Sequence, residues 1–370
     1  MSAAPTPPHR PVNRGVAASG GTAGISPMVA GLPPSCFAFV MATGIVSAAL
    51  LKSGRPQLAK ILFWVALCSL VLLLAATVWR AATASRRFMA DAVSPARTFG
   101  FFSFVAGLNV VGLHFDMTGR PTAGLALAVV AAVFWVVLNY LIPCVLLLRP
   151  HDRPVLADAN GSWFLWVVAT QSMAAAAASA AAVHHSAGFA VMAAALWSIG
   201  VVLYLLVGTL VTLRLITHTI KPEDLSPTYW IFMGATAISV LACSGLLELP
   251  DGFPAIAGMR GLLTGAGFIL WSIGLWWVPL LVIFGIWRHG VHHHHFRYET
   301  ALWSIVFPLG MLATSSMAFG TVQGLPVVEA IGQGVVWVAV PAWAIAVVLM
   351  LAAGLRWLRG RQGDPGAAAA

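Results

Sequence analysis

Hydrophobic residues fall into ten long runs along this chain, and short polar segments separate the runs. Each run is long enough to cross a hydrocarbon layer of about 30 Å as a helix of roughly 20 residues. An unbroken apolar run of this length is typical of a transmembrane helix rather than of a strand. The runs cover residues 33–51, 61–79, 98–115, 121–148, 161–183, 188–213, 226–247, 261–287, 301–320 and 325–355. The pattern therefore predicts an all-α membrane protein with ten transmembrane helices.

The odd-numbered and even-numbered runs differ in polar content. Ser, Thr, Asn and Gln together number 20 in the 102 residues of the odd runs, against 10 in the 131 residues of the even runs. Polar side chains within a membrane need a partner or water, so the helices that carry them face inward. We therefore expect the odd-numbered helices inside and the even-numbered helices against lipid.

The odd runs also begin alike. Each opens on an aromatic residue, and the openings recur every 62 to 74 residues, about the length of a helical hairpin. The opening residues are Phe37, Phe101, Trp163, Tyr229 and Trp303. This repeat predicts five helical hairpins around a quasi-fivefold pore, with the first helix of each hairpin inside. The alternative is that the aromatic residues only mark the membrane interface.

The two ends of the chain differ from the apolar middle. Residues 1–30 are rich in Ala, Pro, Gly, Ser and Thr, which predicts a disordered tail. Residues 31–358 form the ten-helix domain, and residues 359–370 a second tail. Ten spans place both termini on one side, where 15 of the 20 Lys and Arg residues also fall. The positive-inside rule then predicts cytoplasmic termini and an inner (plasma) membrane location.

Composition excludes several classes of protein. Of the 370 residues, 60% are hydrophobic and 8% are charged, which leaves too little polar surface for a soluble enzyme. The net charge of +9 is not gathered into a basic stripe, so we expect no nucleic-acid partner. The cysteines lie in apolar runs without metal-ligand spacing, and we expect them in the core, with no metal and no cofactor. They are Cys36, Cys68, Cys144 and Cys243.

The odd runs contain no Asp, Glu, Lys or Arg. Proton pumps and cation-coupled carriers usually keep an ionisable group within the membrane. A lumen of hydroxyls, amides and backbone N–H groups carries no fixed negative charge to repel an anion, so we infer that small anions pass through it. The alternative is that these side chains are hydrogen-bonding contacts between helices. The candidate pore-lining residues are Thr43, Ser47, Ser103, Asn109, Gln171, Thr236, Ser239 and Thr314.

The ninth run has the most specific local feature. Pro308 removes a backbone donor, and Gly310 weakens the helix further. By their spacing, Phe307, Gly310 and Thr314 share one helix face. A bulky apolar ring beside flexible backbone in a narrow pore forms a dewetting gate. Phe307, Pro308 and Gly310 are therefore the candidate gate, and packing between helices is the alternative.

A histidine run, His292–His295, lies in the loop before the ninth helix. Consecutive histidines cannot all face one metal ion, although His289 and His293 could do so if the eighth helix extends that far. We expect a solvated, pH-sensitive basic loop, and loose metal binding is the alternative.

Several stretches together resemble the tellurite-resistance/dicarboxylate transporter family, which includes plant slow anion channels, fungal malate permeases and sulfite efflux pumps. The first helix, Phe37-Ala-Phe-Val-Met-Ala-Thr-Gly-Ile-Val-Ser47, is similar to the family's opening Phe-x-x-x-Met-Gly-Thr-Gly-Ile-Val-Ser. Residues 163–172, 229–235 and 302–311 resemble its fifth, seventh and ninth helices. One departure is Ala42, where the family commonly has Gly.

The resemblance implies a pore of five inner helices, trimers in bacterial members, and an occluding phenylalanine in the ninth helix. That role falls on Phe307, which lies in the matching Phe-Pro position. The family's substrates range over dicarboxylates, sulfite, chloride, nitrate and tellurite-related anions. The resemblance therefore implies transport across a lipid bilayer without naming the anion.

Other functions remain open from the sequence. A proton-coupled dicarboxylate carrier is disfavoured by the missing intramembrane carboxylates. A membrane redox or hydrolytic enzyme would need histidines at matching depth or a nucleophile beside a base, and the histidines lie near helix ends. A purely structural membrane subunit is a further alternative. We therefore expect a transporter rather than an enzyme.

Overall fold

The computed structural model describes residues 29–150, 154–293 and 297–362. Within them, ten helices are long and apolar enough to cross a membrane, as predicted. We number them α1 to α10. Their bounds are Ala38–Lys52, Pro56–Thr83, Phe102–Met117, Pro121–Leu148, Leu165–His184, Ala187–Thr217, Ile231–Leu247, Pro254–Ile286, Trp303–Gln323 and Pro326–Gln362.

The predicted tails fall mostly outside the described residues. The structure begins at residue 29, so residues 1–28 of the first tail are not covered. In the second tail, α10 continues to Gln362 and so includes residues 359–362. The remainder of that tail is likewise outside the described chain.

The buried fraction alternates between odd-numbered and even-numbered helices, as the distribution of polar residues predicts. In an 18-residue stretch of each odd-numbered span, 78–83% of the residues are buried, against 17–50% in the even-numbered spans. The even helices carry most of the exposed large apolar side chains, such as Leu72 and Val202. A surface of this kind matches the acyl chains of a bilayer. Cys68 and Cys144 also lie on this surface, because they are on even helices, which corrects the expectation of four core cysteines.

The inner helices contact one another in a closed order. Each odd-numbered helix contacts the next one, and α9 contacts α1. Each even-numbered helix contacts its own hairpin partner and also the inner helix of the next hairpin, with α10 reaching α1. The contacts therefore connect the beginning of the domain with its end.

Each inner helix joins its outer partner through a short turn, and four of the five turns share one sequence pattern. Gly-x-Pro occurs at residues 54–56, 119–121, 252–254 and 324–326, and the proline is the first residue of the outer helix. Gly54, Gly119 and Gly324 have positive φ, as does His185 in the remaining turn. Glycine adopts this conformation without strain, and proline suits the first helical position. We call the side of the protein that carries these turns the turn face.

Two outer helices begin earlier than hydropathy alone predicts. The second and eighth runs were expected from residues 61 and 261, but α2 begins at Pro56 and α8 at Pro254. Lys60 and Arg260 lower the local hydropathy without interrupting the helix. The proline at the first position, rather than the first apolar residue, determines where each helix starts.

A 3₁₀ turn precedes each inner helix, on the side opposite the turn face. We call these segments the entry turns and this side the entry face. They are Pro34–Phe37, Thr98–Phe101, Gly161–Phe164, Pro227–Trp230 and Thr300–Leu302. Consecutive entry turns contact one another, and the last contacts the first. Five helix N-termini therefore meet at one face of the protein.

We expect Gly161→Ala to destabilise the protein strongly. A Cβ at Gly161 would lie 2.5 Å from the backbone nitrogen of Tyr229 and would also meet the Thr228 carbonyl. Backbone cannot move aside as a flexible side chain does, so overpacking should cost about 1–3 kcal/mol. The measurement is the melting temperature of the purified protein in detergent. Gly265→Ala is the control, because a Cβ there meets nothing within 4 Å; equal melting temperatures would contradict the argument.

Candidate functional site

A cavity of about 40 Å³ lies inside the half of the bundle near the turn face. Its walls come from four inner helices, α3, α5, α7 and α9, and from the outer helix α4. Met311 and Ile238 belong to its lining, so the cavity extends to α9 and α7. A volume of this size holds a few water molecules.

Asn109 and Ser172 join α3 to α5 at the inner end of this cavity. The Asn109 Nδ2 donates to the Ser172 Oγ at 2.9 Å, and that hydroxyl donates to the Ala169 carbonyl at 2.7 Å. Because the hydroxyl proton is already used, the amide must present Nδ2 to it. The Asn109 Oδ1 is buried and has no hydrogen-bond partner in the part of the chain that the structure describes.

Asp116 and Ser179 form a second contact between α3 and α5. The Ser179 Oγ donates to the Asp116 Oδ2 at 2.7 Å. Asp116 lies seven residues after Asn109, and Ser179 lies seven residues after Ser172. Seven residues correspond to about 10 Å along a helix. Asp116 and Ser179 both line the cavity. The cavity thus contains one amide oxygen and one carboxylate.

This carboxylate corrects the sequence-based inference that the odd-numbered helices contain no ionisable group. The third run was expected to end at residue 115, but α3 continues to Met117 and so includes Asp116. Lys52 is likewise the last residue of α1. His114, which the sequence interpretation passed over, is buried and stacks on Phe63, with ring centroids 4.1 Å apart. A charged or aromatic residue at the end of a span does not itself end the helix, which continues until the turn that follows.

All eight candidate pore-lining residues are buried, but the structure shows other partners for most of them. Of the eight, Asn109 is the one that lines the cavity. The Thr43 Oγ1 accepts from the Trp343 indole of α10 at 3.0 Å. The Ser47 Oγ donates to the Ala59 carbonyl of α2, and the Gln171 Nε2 donates to the Trp197 carbonyl of α6. These side chains reach towards outer helices.

The remaining candidates bond to nearby carbonyls. Ser103 donates to the Gly100 carbonyl, Thr236 to Met233, Ser239 to Ala235 and Thr314 to Gly310. A Cβ added to Gly274 of α8 would lie 2.6 Å from the Thr236 Oγ1, so that hydroxyl faces an outer helix. The alternative that hydroxyls serve helix packing therefore accounts for many of these contacts, and their role in a pore stays a prediction.

Tryptophans of the outer helices make a repeated contact that the sequence interpretation missed. Indole N–H groups donate to inner helices of the following hairpin, from Trp135 to Thr170, from Trp197 to the Ser239 carbonyl, from Trp271 to Ser316 and from Trp343 to Thr43. An indole in hydrocarbon needs such an acceptor. At least one tryptophan lies near the middle of each of these outer helices, and this recurrence in the sequence was the available signal.

Phe307 is buried, and the part of α9 around it contacts two neighbouring helices. A Cβ at Gly234 of α7 would lie 2.9 Å from Pro308 and 3.3 Å from the Phe307 ring. A Cβ at Gly310 would lie 2.8 Å from Ile45 of α1. α9 therefore contacts α7 on one side of Phe307 and α1 on the other. Met311, one turn further along, lines the cavity, whereas Phe307 is not part of its lining.

A second, larger cavity of about 760 Å³ opens on the entry face. Residues of four entry turns line it, including Ser35, Gly100, Ser162 and Thr228. The Ser162 hydroxyl is buried there without a hydrogen-bond partner among the described residues. The first turns of helices leave backbone N–H groups unpaired and carry partial positive charge. We call this cavity the entry vestibule.

Buried arginines at the ends of outer helices form ion pairs around the entry face. Arg80 pairs with Asp91, Arg214 with Asp224 at 2.8 Å, and Arg288 with Glu299 at 3.1 Å. Each acid lies in the segment that leads to the next inner helix, so the pair fixes that connection. Burial alone would raise the pKa of Asp224, but the Lys221 N–H and the Arg214 guanidinium lower it below its ordinary value. These pairs neutralise three of the arginines that the sequence places on this side.

The histidine run is covered only in part. Residues 294 and 295 lie outside the described chain, and His293 has a positive φ of 50°. The backbone from Trp287 to Val291 continues α8 as a π-helical turn, which brings His289 to the helix end. Among the described residues, no group of three His, Cys, Asp or Glu side chains is placed to hold a metal ion.

Comparisons with known proteins agree with this architecture. An uncharacterized membrane protein of Mycobacterium tuberculosis is 46% identical over 149 residues, which are 40% of this chain and 75% of that protein. An uncharacterized transporter of Methanocaldococcus jannaschii is 28% identical over 152 residues, 41% of this chain and 43% of its own length. The family described as "voltage-dependent anion channel" matches residues 31–351, nearly the whole ten-helix domain. The chain belongs to this family of membrane anion channels and transporters.

Proposed function

We propose that the ring of five inner helices encloses a conduit through which small anions cross the membrane. The observation that carries this proposal is the closed contact order of the inner helices, with five N-terminal turns gathered at one mouth. Hydrogen-bond donors and positive helix ends at a mouth favour negative solutes over positive ones. The entry vestibule is large enough for a hydrated anion.

The conduit is closed at Phe307 in this proposal. Along α9, the ring lies between the entry turn Thr300–Leu302 and Met311, which lines the cavity near the turn face, and the helix contacts a neighbour on either side. A buried apolar ring in a narrow passage excludes water, and without water an ion does not pass. Pro308 and Gly310 loosen the helix where the ring must move. Opening then requires only that the ring swing out of the passage.

The finer assignments are proposals as well. We assign a C4-dicarboxylate or a small inorganic anion such as sulfite, chloride, nitrate or a tellurite-related anion as the substrate. The exposed Arg and Lys residues favour the entry face as cytoplasmic, so both termini lie in the cytoplasm of a cell whose inner membrane holds the protein. Its long apolar outer helices also provide surfaces for a homotrimer.

Uptake into proteoliposomes tests the proposal. Purified protein reconstituted into liposomes should take up at least one of chloride, nitrate, sulfite and malate faster than protein-free liposomes do. Sodium and potassium uptake under the same gradients should stay at the protein-free level. Equal uptake of all four anions with and without protein would contradict an anion conduit.

Asp116 favours one further candidate, a proton-coupled dicarboxylate carrier. A carboxylate in the cavity is the kind of group on which such carriers depend. In this case an imposed proton gradient drives malate accumulation above the equilibrium level. A passive conduit brings malate only to equilibrium, so a pH-jump uptake assay separates the two functions.

A further inference from the structure

The cavity near the turn face offers hydrogen-bond acceptors to whatever passes through it. The buried Asn109 Oδ1 has no hydrogen-bond partner among the residues described, and Asn109 and Asp116 both line the cavity. The polar hydrogens of Asn109 and Ser179 are already used, since Asn109 Nδ2 donates to Ser172 and the Ser179 hydroxyl donates to Asp116. The His184 ring also belongs to the lining, at the end of α5. This half of the bundle therefore differs from the donor-rich entry face.

The orientation of the amide is set by its neighbours. If the amide of Asn109 were reversed, its oxygen would face a Ser172 oxygen whose proton is bonded to the Ala169 carbonyl at 2.7 Å. Two acceptors would then oppose each other. The free position consequently holds an oxygen, and a buried oxygen without a partner favours a ligand that can donate.

The position of Asp116 holds its carboxyl group in the cavity. Its Oδ1 lies against Gly124 in the first turn of α4, and a Cβ there would overlap it. A helix N-terminus favours a carboxylate at this place. Gly112 and Gly124 also bring the backbones together, so the carboxylate has little room to turn away.

Resting on the proposed function, we propose that the cavity selects anions that still carry a proton on an oxygen. A hydroxyl-bearing oxyanion, such as a hydrogen dicarboxylate or bicarbonate, can donate to the Asn109 Oδ1 and to the Asp116 carboxylate. Chloride and nitrate have no such hydrogen, so they meet acceptor oxygens and form no hydrogen bond with them. Asn109 and Asp116 are thus specificity-determining residues for the substrate class.

The experiment compares two anions that differ mainly in this hydrogen. Bicarbonate and nitrate are both planar, singly charged and built on three oxygens, and bicarbonate alone has an O–H. Uptake of each into the same proteoliposomes, corrected with protein-free vesicles, gives a ratio that should favour bicarbonate. Asp116→Asn removes the charge and supplies an amide donor, so it should lower the bicarbonate-to-nitrate ratio about tenfold.

Two further variants keep the test decisive. Asn109→Leu removes the other acceptor at similar volume and should lower the ratio in the same direction, which provides a second reading if Asp116→Asn fails to fold. Asp251→Asn is the matched control, because this carboxylate lies in the loop between α7 and α8 at the turn face and is 90% exposed. Uptake with a ratio unchanged by both cavity variants would overturn the selectivity, whereas no uptake by the wild type would overturn the proposed function itself.

Discussion

Replacing Phe307 with Ala should raise anion uptake at least about tenfold in proteoliposomes. The buried ring lies one helical turn before Met311, which lines the cavity near the turn face, and its removal leaves space that water can enter. A wetted passage carries ions that a dry one excludes, and each 1.4 kcal/mol removed from the barrier is a factor of ten. Initial uptake rates at equal amounts of reconstituted protein provide the measurement.

Phe319→Ala is the matched control for this gate. Phe319 is on the same helix and is equally buried, but its ring faces Gly267 of the outer helix α8. Each substitution should cost stability of about 3–5 kcal/mol through the cavity that it leaves. In the proposed gate, only the change at residue 307 opens a path between the cavities. A similar rise in uptake for both variants would mean that general loosening, rather than a gate, controls the flux.

Arg80→Met should lower the free energy of unfolding by about 3 kcal/mol or more. The Arg80 side chain is 4% exposed, and its partner Asp91 is 9% exposed. Removing Arg80 leaves the buried Asp91 charge with only the exposed Arg97 as its partner. The same change disturbs the segment that leads to the second entry turn. Unfolding of the detergent-solubilised protein by heat or denaturant measures the loss.

A second arginine that pairs with Asp91 provides the control for Arg80→Met. Arg97 pairs with the same carboxylate at 2.9 Å, but its side chain is 68% exposed. Solvent screens this pair, so Arg97→Met should cost no more than about 1 kcal/mol. Because the two substitutions remove the same type of side chain from the same acid, burial is the main difference between them. Equal losses would contradict the importance of the buried pair.

Much of the architecture could be predicted from the sequence. Apolar length gave ten spans, and the uneven distribution of hydroxyls and amides predicted which helices are inside. Both signals depend on the cost of polar groups in hydrocarbon, which acts on every residue of a span. The Gly-x-Pro turns at residues 54–56, 119–121, 252–254 and 324–326 repeat the hairpin period even more plainly than the aromatic openings do.

The direction of individual side chains could not be predicted in the same way. Thr43 and Gln171 were expected to line a pore, but Thr43 binds Trp343 and Gln171 binds the Trp197 carbonyl. A hydroxyl that bonds to an outer helix and a hydroxyl that bonds to water in a lumen both have a hydrogen-bond partner. The composition of a span therefore does not distinguish the two positions. Asp116 was missed for a different reason, since an apolar run was ended at the last hydrophobic residue although the backbone continued.

The indole contact from Trp343 to Thr43 joins the last outer helix to the first inner helix. During synthesis, α1 enters the membrane long before α10 exists. The hydrogen bond between Thr43 and Trp343 can therefore form only when almost the entire polypeptide has been made. Completion of the bundle is therefore the final assembly step, and premature termination within the last hairpin leaves both edges of an open arc facing lipid.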